Sequence, residues 1–162
     1  MTIDIRDDLP DFLAYITARV EQQKNDPTPV TRIDFGFEFG QSNWVALVFD
    51  TRVDAEPDGE WTATIDDVLL ERPKWPIWSD LPEDEVIHFI ALDGQKVNVM
   101  DDPDNLICQI VGAAMKHALL QARDNGVFKA LPKAPKCEMG VENLEGHYGW
   151  PNYEDRGKEN LL

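Results

Sequence analysis

The chain has 162 residues, 43% hydrophobic and 28% charged, with 31 acids against 15 bases, a formal net charge of -16 and a sequence pI near 4.4. That length fits one domain able to bury a core, here expected to span 1–162, and five tryptophans and seven phenylalanines fit a globular chain better than a disordered one. The negative charge argues against direct nucleic-acid binding, because backbone phosphates repel it. No apolar run reaches the ~18–20 residues that span a membrane, and the opening MTIDIRDDLP lacks a basic stretch followed by an apolar one, so a cytoplasmic location is expected.

The first periodic segment covers about residues 9–24, with Leu9, Phe12, Leu13, Ile16 and Val20 at helical spacing and Asp7 or Asp8 available as cap. NDPTP breaks it. From Val30 the period becomes two, with Ile33, Phe35, Phe37 and Phe39 on one face and Arg32, Asp34, Gly36 and Glu38 on the other. GQSN turns the chain into a mostly apolar strand over 44–53, DAEPDGE turns it again, and residues 61–70 read as a third strand. Together these predict an α+β fold in which an antiparallel meander packs one face against helices.

RPKWPIWSDLPED is a proline-broken loop carrying Trp75 and Trp78. The stretch 85–99 fits either a short helix followed by a strand or a hairpin around Asp93-Gly94, with the hairpin preferred. A second, longer helix follows, with Asp102 as cap, Pro103 in the first turn, an apolar stripe through Leu106, Ile107, Ile110, Val111, Ala114, Ala118 and Leu119, and Asn125-Gly126 as its stop. Beyond Phe128 the chain reads as loop. Because Tyr148, Trp150 and Tyr153 are too large to leave in a mobile tail, residues 129–162 are expected to fold back on the body and bury Trp150.

Asp54, Glu56, Asp58 and Gly59 occupy EF-hand positions 1, 3, 5 and 6, but position 12 is Ile65 and strand-like sequence flanks the segment, so a hairpin tip built on Pro57 and Gly59 accounts for it better. Cys108 and His117 are nine residues apart on one helix, about 900° of turn, which places them on opposite faces. Cys108 and Cys137 form no CxxC pair, His88 and His147 stand apart, and Ser42 and Ser79 lack the glycines of a nucleophile elbow. A Cys137–His147 pair would need an activated thiolate, for which Lys133 and Lys136 are weak support. No cofactor or metal is implied, and the chain reads as a non-enzyme.

Charge distribution says more. Residues 50–60 hold five acids and one base, and 79–105 hold eight acids and Lys96, whereas 116–136 hold Lys116, Arg123, Lys129, Lys133 and Lys136 against Asp124 alone. Tryptophans accompany the acids, and aromatic anchors ringed by charge are typical of protein interfaces. The candidate partner-binding residues are therefore Asp54, Glu56, Asp58, Glu60, Trp61, Trp75, Trp78, Asp80, Glu83 and Asp84.

In size, acidity and absence of catalytic motifs, and in the segments ARDNGVFKALP and EGHYGWPNYED, the chain resembles bacterial immunity proteins of contact-dependent-inhibition and other polymorphic toxin systems. The resemblance implies a cytosolic monomer or weak dimer that binds and blocks one basic toxin domain, such as a nuclease, and transfers no residue roles. Two alternatives stand beside it: an acidic nucleic-acid mimic that inhibits a DNA-binding protein, and a carboxylate-dependent hydrolase with a concave pocket.

Overall fold

The computed structural model describes residues 1–51 and 69–143, together with the backbone of Gly149 and Trp150. In chain order the elements are β1 (Thr2–Asp4), α1 (Leu9–Gln23), β2 (Val30–Glu38), β3 (Trp44–Asp50), β4 (Leu70–Glu71), β5 (His88–Ile90), β6 (Lys96–Asn98), α2 (Pro103–Asp124), β7 (Lys133–Asn143) and β8 (Gly149–Trp150). They build a five-stranded sheet in the order β4-β3-β2-β7-β8 and a three-stranded sheet in the order β1-β5-β6.

The fold is α+β with two helices, as expected, but the sheets are mixed and do not form a pure antiparallel meander. β3 pairs with β2 and β4 antiparallel, whereas β2 pairs with β7, and β1 with β5, in parallel. The reason is connectivity. Each helix delivers the chain to the same end of the large sheet: Val30 donates its N–H to the Pro132 carbonyl (2.8 Å) and is in register with Lys133, so the strands that follow α1 and α2 start side by side and run the same way.

β7 also corrects the expectation that the chain is loop beyond Phe128. It is an eleven-residue strand with Cys137, Met139 and Val141 packed into the core. Pro132 and Pro135 signal a loop locally, and of its inward residues Cys137, Met139 and Val141 only the last is β-branched. Past Asn143, β8 pairs its backbone with Val141 and Glu142. The predicted burial of Trp150 and the rest of the tail lie outside the described residues, as do the DAEPDGE hairpin tip and most of the third predicted strand.

The core lies between the helices and the large sheet. Phe12, Ile16 and Val20 of α1 and Ile107, Val111, Ala114, Met115, Ala118 and Leu119 of α2 are buried against Ile33, Phe35 and Phe37 of β2. Phe12 meets Phe35 edge-on at 5.6 Å. The small sheet adds Ile3 and Phe89, and Val99 just after β6 joins them. The hairpin at Asp93-Gly94 is present: Gly94 adopts φ +84° and Asp93 Oδ1 accepts the Gln95 N–H at 2.9 Å. Asp8 and Asp102 occupy their N-cap positions without bonding the helix N–H groups through their side chains; Asp102 instead accepts from Asn105 Nδ2 at 3.1 Å. Gly126, at φ +75°, ends α2 as expected.

Candidate partner-binding surface

The loop after β4 is tied down by buried polar groups. Arg72, 5% exposed, is sandwiched against the Phe12 ring and ion-pairs with Asp8 and, at 2.9 Å, with Asp11. The second oxygen of Asp8 accepts the Trp75 indole N–H at 2.9 Å. Asn43, buried with φ +52°, accepts the Gly40 N–H and donates through Nδ2 to the Trp75 and Pro76 carbonyls at 2.8 and 3.1 Å. Trp75 is therefore a core residue, 2% exposed and 5.2 Å from the Phe39 ring. Its proposed place as a surface anchor is corrected by these contacts, which seal the indole away from any partner.

Trp78 is different. It opens a short 3₁₀ turn, Trp78–Asp80, donates its N–H to the Gly40 carbonyl at 2.8 Å and rests half-buried on Phe39 at 5.8 Å. Only glycine fits beneath it: Gly40 has φ +93°, and a β-carbon there would stand 1.8 Å from the indole nitrogen. A narrow crevice lined by Phe39, Trp78, Pro103, Asp104, Ile107 and Cys108 places this indole against the first turn of α2.

Two acidic segments converge at this end. β5 and β6 pair antiparallel and the Val99 N–H adds a bond to the Ile87 carbonyl (3.1 Å), which brings the stretch before β5 beside the stretch after β6; within the latter a turn closes from the Asp102 N–H to the Val99 carbonyl (3.3 Å). Asp80, Glu83 and Asp84 from one and Asp101, Asp102 and Asp104 from the other are all exposed. The amino terminus folds in among them, pairing with Glu85 and donating to the Val86 carbonyl at 2.8 Å. Met1, Val86 and Met100, exposed by 49, 43 and 39%, are the large apolar side chains with most exposure among the described residues, and all three sit here. Of the predicted site residues, the structure thus gathers Trp78, Asp80, Glu83 and Asp84, while Asp54, Glu56, Asp58, Glu60 and Trp61 lie outside the described residues. Val86 and Met100 were missed, because isolated apolar residues flanked by strand sequence read as core.

The charge reverses along α2, whose 22 residues span roughly 33 Å. Beyond its C-terminal end come Lys129, Lys133 and Lys136. Among the described residues, the acidic, partly apolar surface ahead of α2 thus stands apart from the lysines that follow its other end.

Of the side chains weighed for catalysis in the sequence, His147 lies outside the described residues. Cys108 is buried and His117 exposed, on opposite faces of α2 as their spacing requires. Burial pushes the Cys137 thiol up to about 11 against a partial offset from Lys133, so it is protonated near neutral pH. Ser79 donates to its neighbour Asp80 at 3.1 Å. Among the described residues no three His, Cys, Asp or Glu side chains are grouped to hold a metal ion, and no helix is long and apolar enough to cross a membrane. Compared with known protein families, characterised proteins and solved structures, the chain matches none.

Proposed function

We propose that this protein is a cytoplasmic binding protein of the immunity type, which neutralises a basic toxin domain by covering it and performs no turnover. The observation that carries this reading is that the β5–β6 pairing sets two acidic stretches, which carry the exposed Val86 and Met100, side by side ahead of α2, against whose first turn Trp78 also packs. Six exposed carboxylates there would steer a cationic partner, while the apolar side chains and the edge of the indole supply contacts that hold it after encounter. Methionine suits such a surface because its thioether adapts to the shape it meets.

The test is a search for a toxin domain encoded beside this chain, followed by protection of growth in cells that express it. Parent protein should restore growth, and Met100→Asp should lose most of that protection by shortening the life of the complex. Association should slow steeply between ~50 and ~500 mM salt, as steering by exposed charges requires. A complex whose association rate ignores salt, or protection unaffected by Met100→Asp, would remove this surface from the mechanism.

A further inference from the structure

Between the starts of β2 and β7 lies a cleft that takes no part in the proposed partner-binding surface. It has a volume of about 800 Å³ and is walled by Thr28, Pro29 and Arg32 on one side and Lys133, Pro135 and Lys136 on the other. Its origin lies in strand pairing. Register between β2 and β7 advances two residues on one strand, Val30 to Arg32, while advancing five on the other, Lys133 to Glu138. The three extra residues bow β7 away from β2 at Pro135, which has no N–H to give a ladder. Such bulges concentrate beside binding sites because they open a sheet locally. The volume falls within the ~300–1,000 Å³ usual for small-molecule sites.

The polar groups around the cleft separate by role. Arg32 is satisfied within the protein: Nε and Nη2 donate to Asp34 at 2.5 and 2.8 Å, and Nη1 faces Glu138 at 3.8 Å. It forms a neutralised floor. Lys133 spends one N–H on the Phe128 carbonyl (2.7 Å), which fixes its ammonium at the wall and leaves further donors on that group. Lys136 is exposed at the rim. Pro29, Ala134 and Pro135 give apolar surface between these cations. On a chain of net charge -16, two lysines around a mostly apolar cleft form a local reversal of sign.

We infer that this cleft binds a small organic anion, a carboxylate or phosphate monoester whose charged group meets Lys133 and Lys136 and whose apolar body lies on Pro29, Ala134 and Pro135. The site is separated from the acidic end by the length of β2, roughly 25 Å, so a ligand there leaves the partner-binding surface uncovered.

The experiment is a titration of ¹⁵N-labelled full-length protein with phenyl phosphate and with benzoate, using benzyl alcohol and benzylamine as neutral and cationic counterparts. Saturable amide shifts confined to residues 28–32, 51 and 133–138 are expected with one or both anions, and whichever binds tighter assigns the headgroup. Lys136→Glu should weaken binding roughly tenfold. Lys129→Glu, the same charge change at an exposed lysine outside the cleft, should weaken it less than about twofold. Absence of saturation, equal binding of the alcohol or amine, or equal loss in the two lysine variants would overturn the assignment.

Discussion

Gly40→Ala isolates the contact that builds the acidic end, and its cost can be worked out against an internal control. Gly40 and Gly94 both adopt left-handed backbone, at φ +93° and +84°. Placing a β-carbon in that region costs about 1–2 kcal/mol at either position. At Gly94 the new methyl meets only Arg6 Nη1, at 3.6 Å, an ordinary contact. At Gly40 it falls 1.8 Å from Trp78 Nε1 and 2.1 Å from Cδ1, so the indole must leave. Losing the Phe39–Trp78 ring contact and part of the indole burial adds about 2–3 kcal/mol. Urea unfolding followed by circular dichroism should therefore give a loss near 1–2 kcal/mol for Gly94→Ala and about 3–5 kcal/mol for Gly40→Ala. The folded Gly40 variant should also show red-shifted tryptophan emission as Trp78 enters water. Equal losses in the two variants would refute the argument that Gly40 is required by the indole above it.

Two further outcomes follow from the buried groups. Asp8→Ala leaves Arg72 buried with only the more exposed Asp11 and removes the acceptor of the Trp75 indole, so it should cost about 3–5 kcal/mol; Asp8→Leu combined with Arg72→Met should recover at least half of that loss in the same unfolding measurement. Burial raises the Cys137 thiol from 9.0 to about 11, so the folded state holds its proton more tightly than the unfolded one. Stability from this source is full below pH 9 and declines as pH rises through 11, by up to about 2–3 kcal/mol. Cys137→Val should flatten that part of the stability-versus-pH curve.

Local signals carried the helices and the small hairpin, and failed where the decisive partner is distant in sequence. α2 was legible because its stripe, proline start and glycine stop all agree. Cys108 is buried as a small core residue, as its place in the apolar pattern suggests, and the inward face extends beyond the predicted stripe to Met115 and Ala122, since a helix lying between sheet and neighbouring helix buries a wide arc. The parallel pairing of β2 with β7 was not legible, because alternation gives a strand's faces and never its neighbour. Trp75 was misplaced for a related reason. Its acidic neighbours in sequence suggested a surface, while the carboxylate that holds its indole belongs to Asp8, 67 residues earlier. Conversely, the run of acids over 79–105 was visible as composition, and only the β5–β6 pairing, with the added Val99–Ile87 bond, brought its two halves side by side.

Two physical explanations compete for the carboxylates at that surface, and they predict opposite signs. Asp102 and Asp104 sit at the start of α2, where the helix dipole favours negative charge by about 0.3–1 kcal/mol each. Structure alone accounts for them, and Asp102→Asn with Asp104→Asn should lower stability. Asp80, Glu83 and Asp84 have no such support: they lie before β5, exposed, and make no ion pair among the described residues. On a chain of net charge -16 they repel their surroundings, so Asp80→Asn, Glu83→Gln and Asp84→Asn together should leave stability unchanged or raise it by a few tenths of a kcal/mol. The same triple change should slow association with a cationic partner by roughly tenfold at low salt. Charges that cost stability yet hasten encounter belong to recognition. If the triple variant instead unfolds more easily by about 1 kcal/mol or more, these acids hold the loop in place, and the surface built on them loses its electrostatic basis.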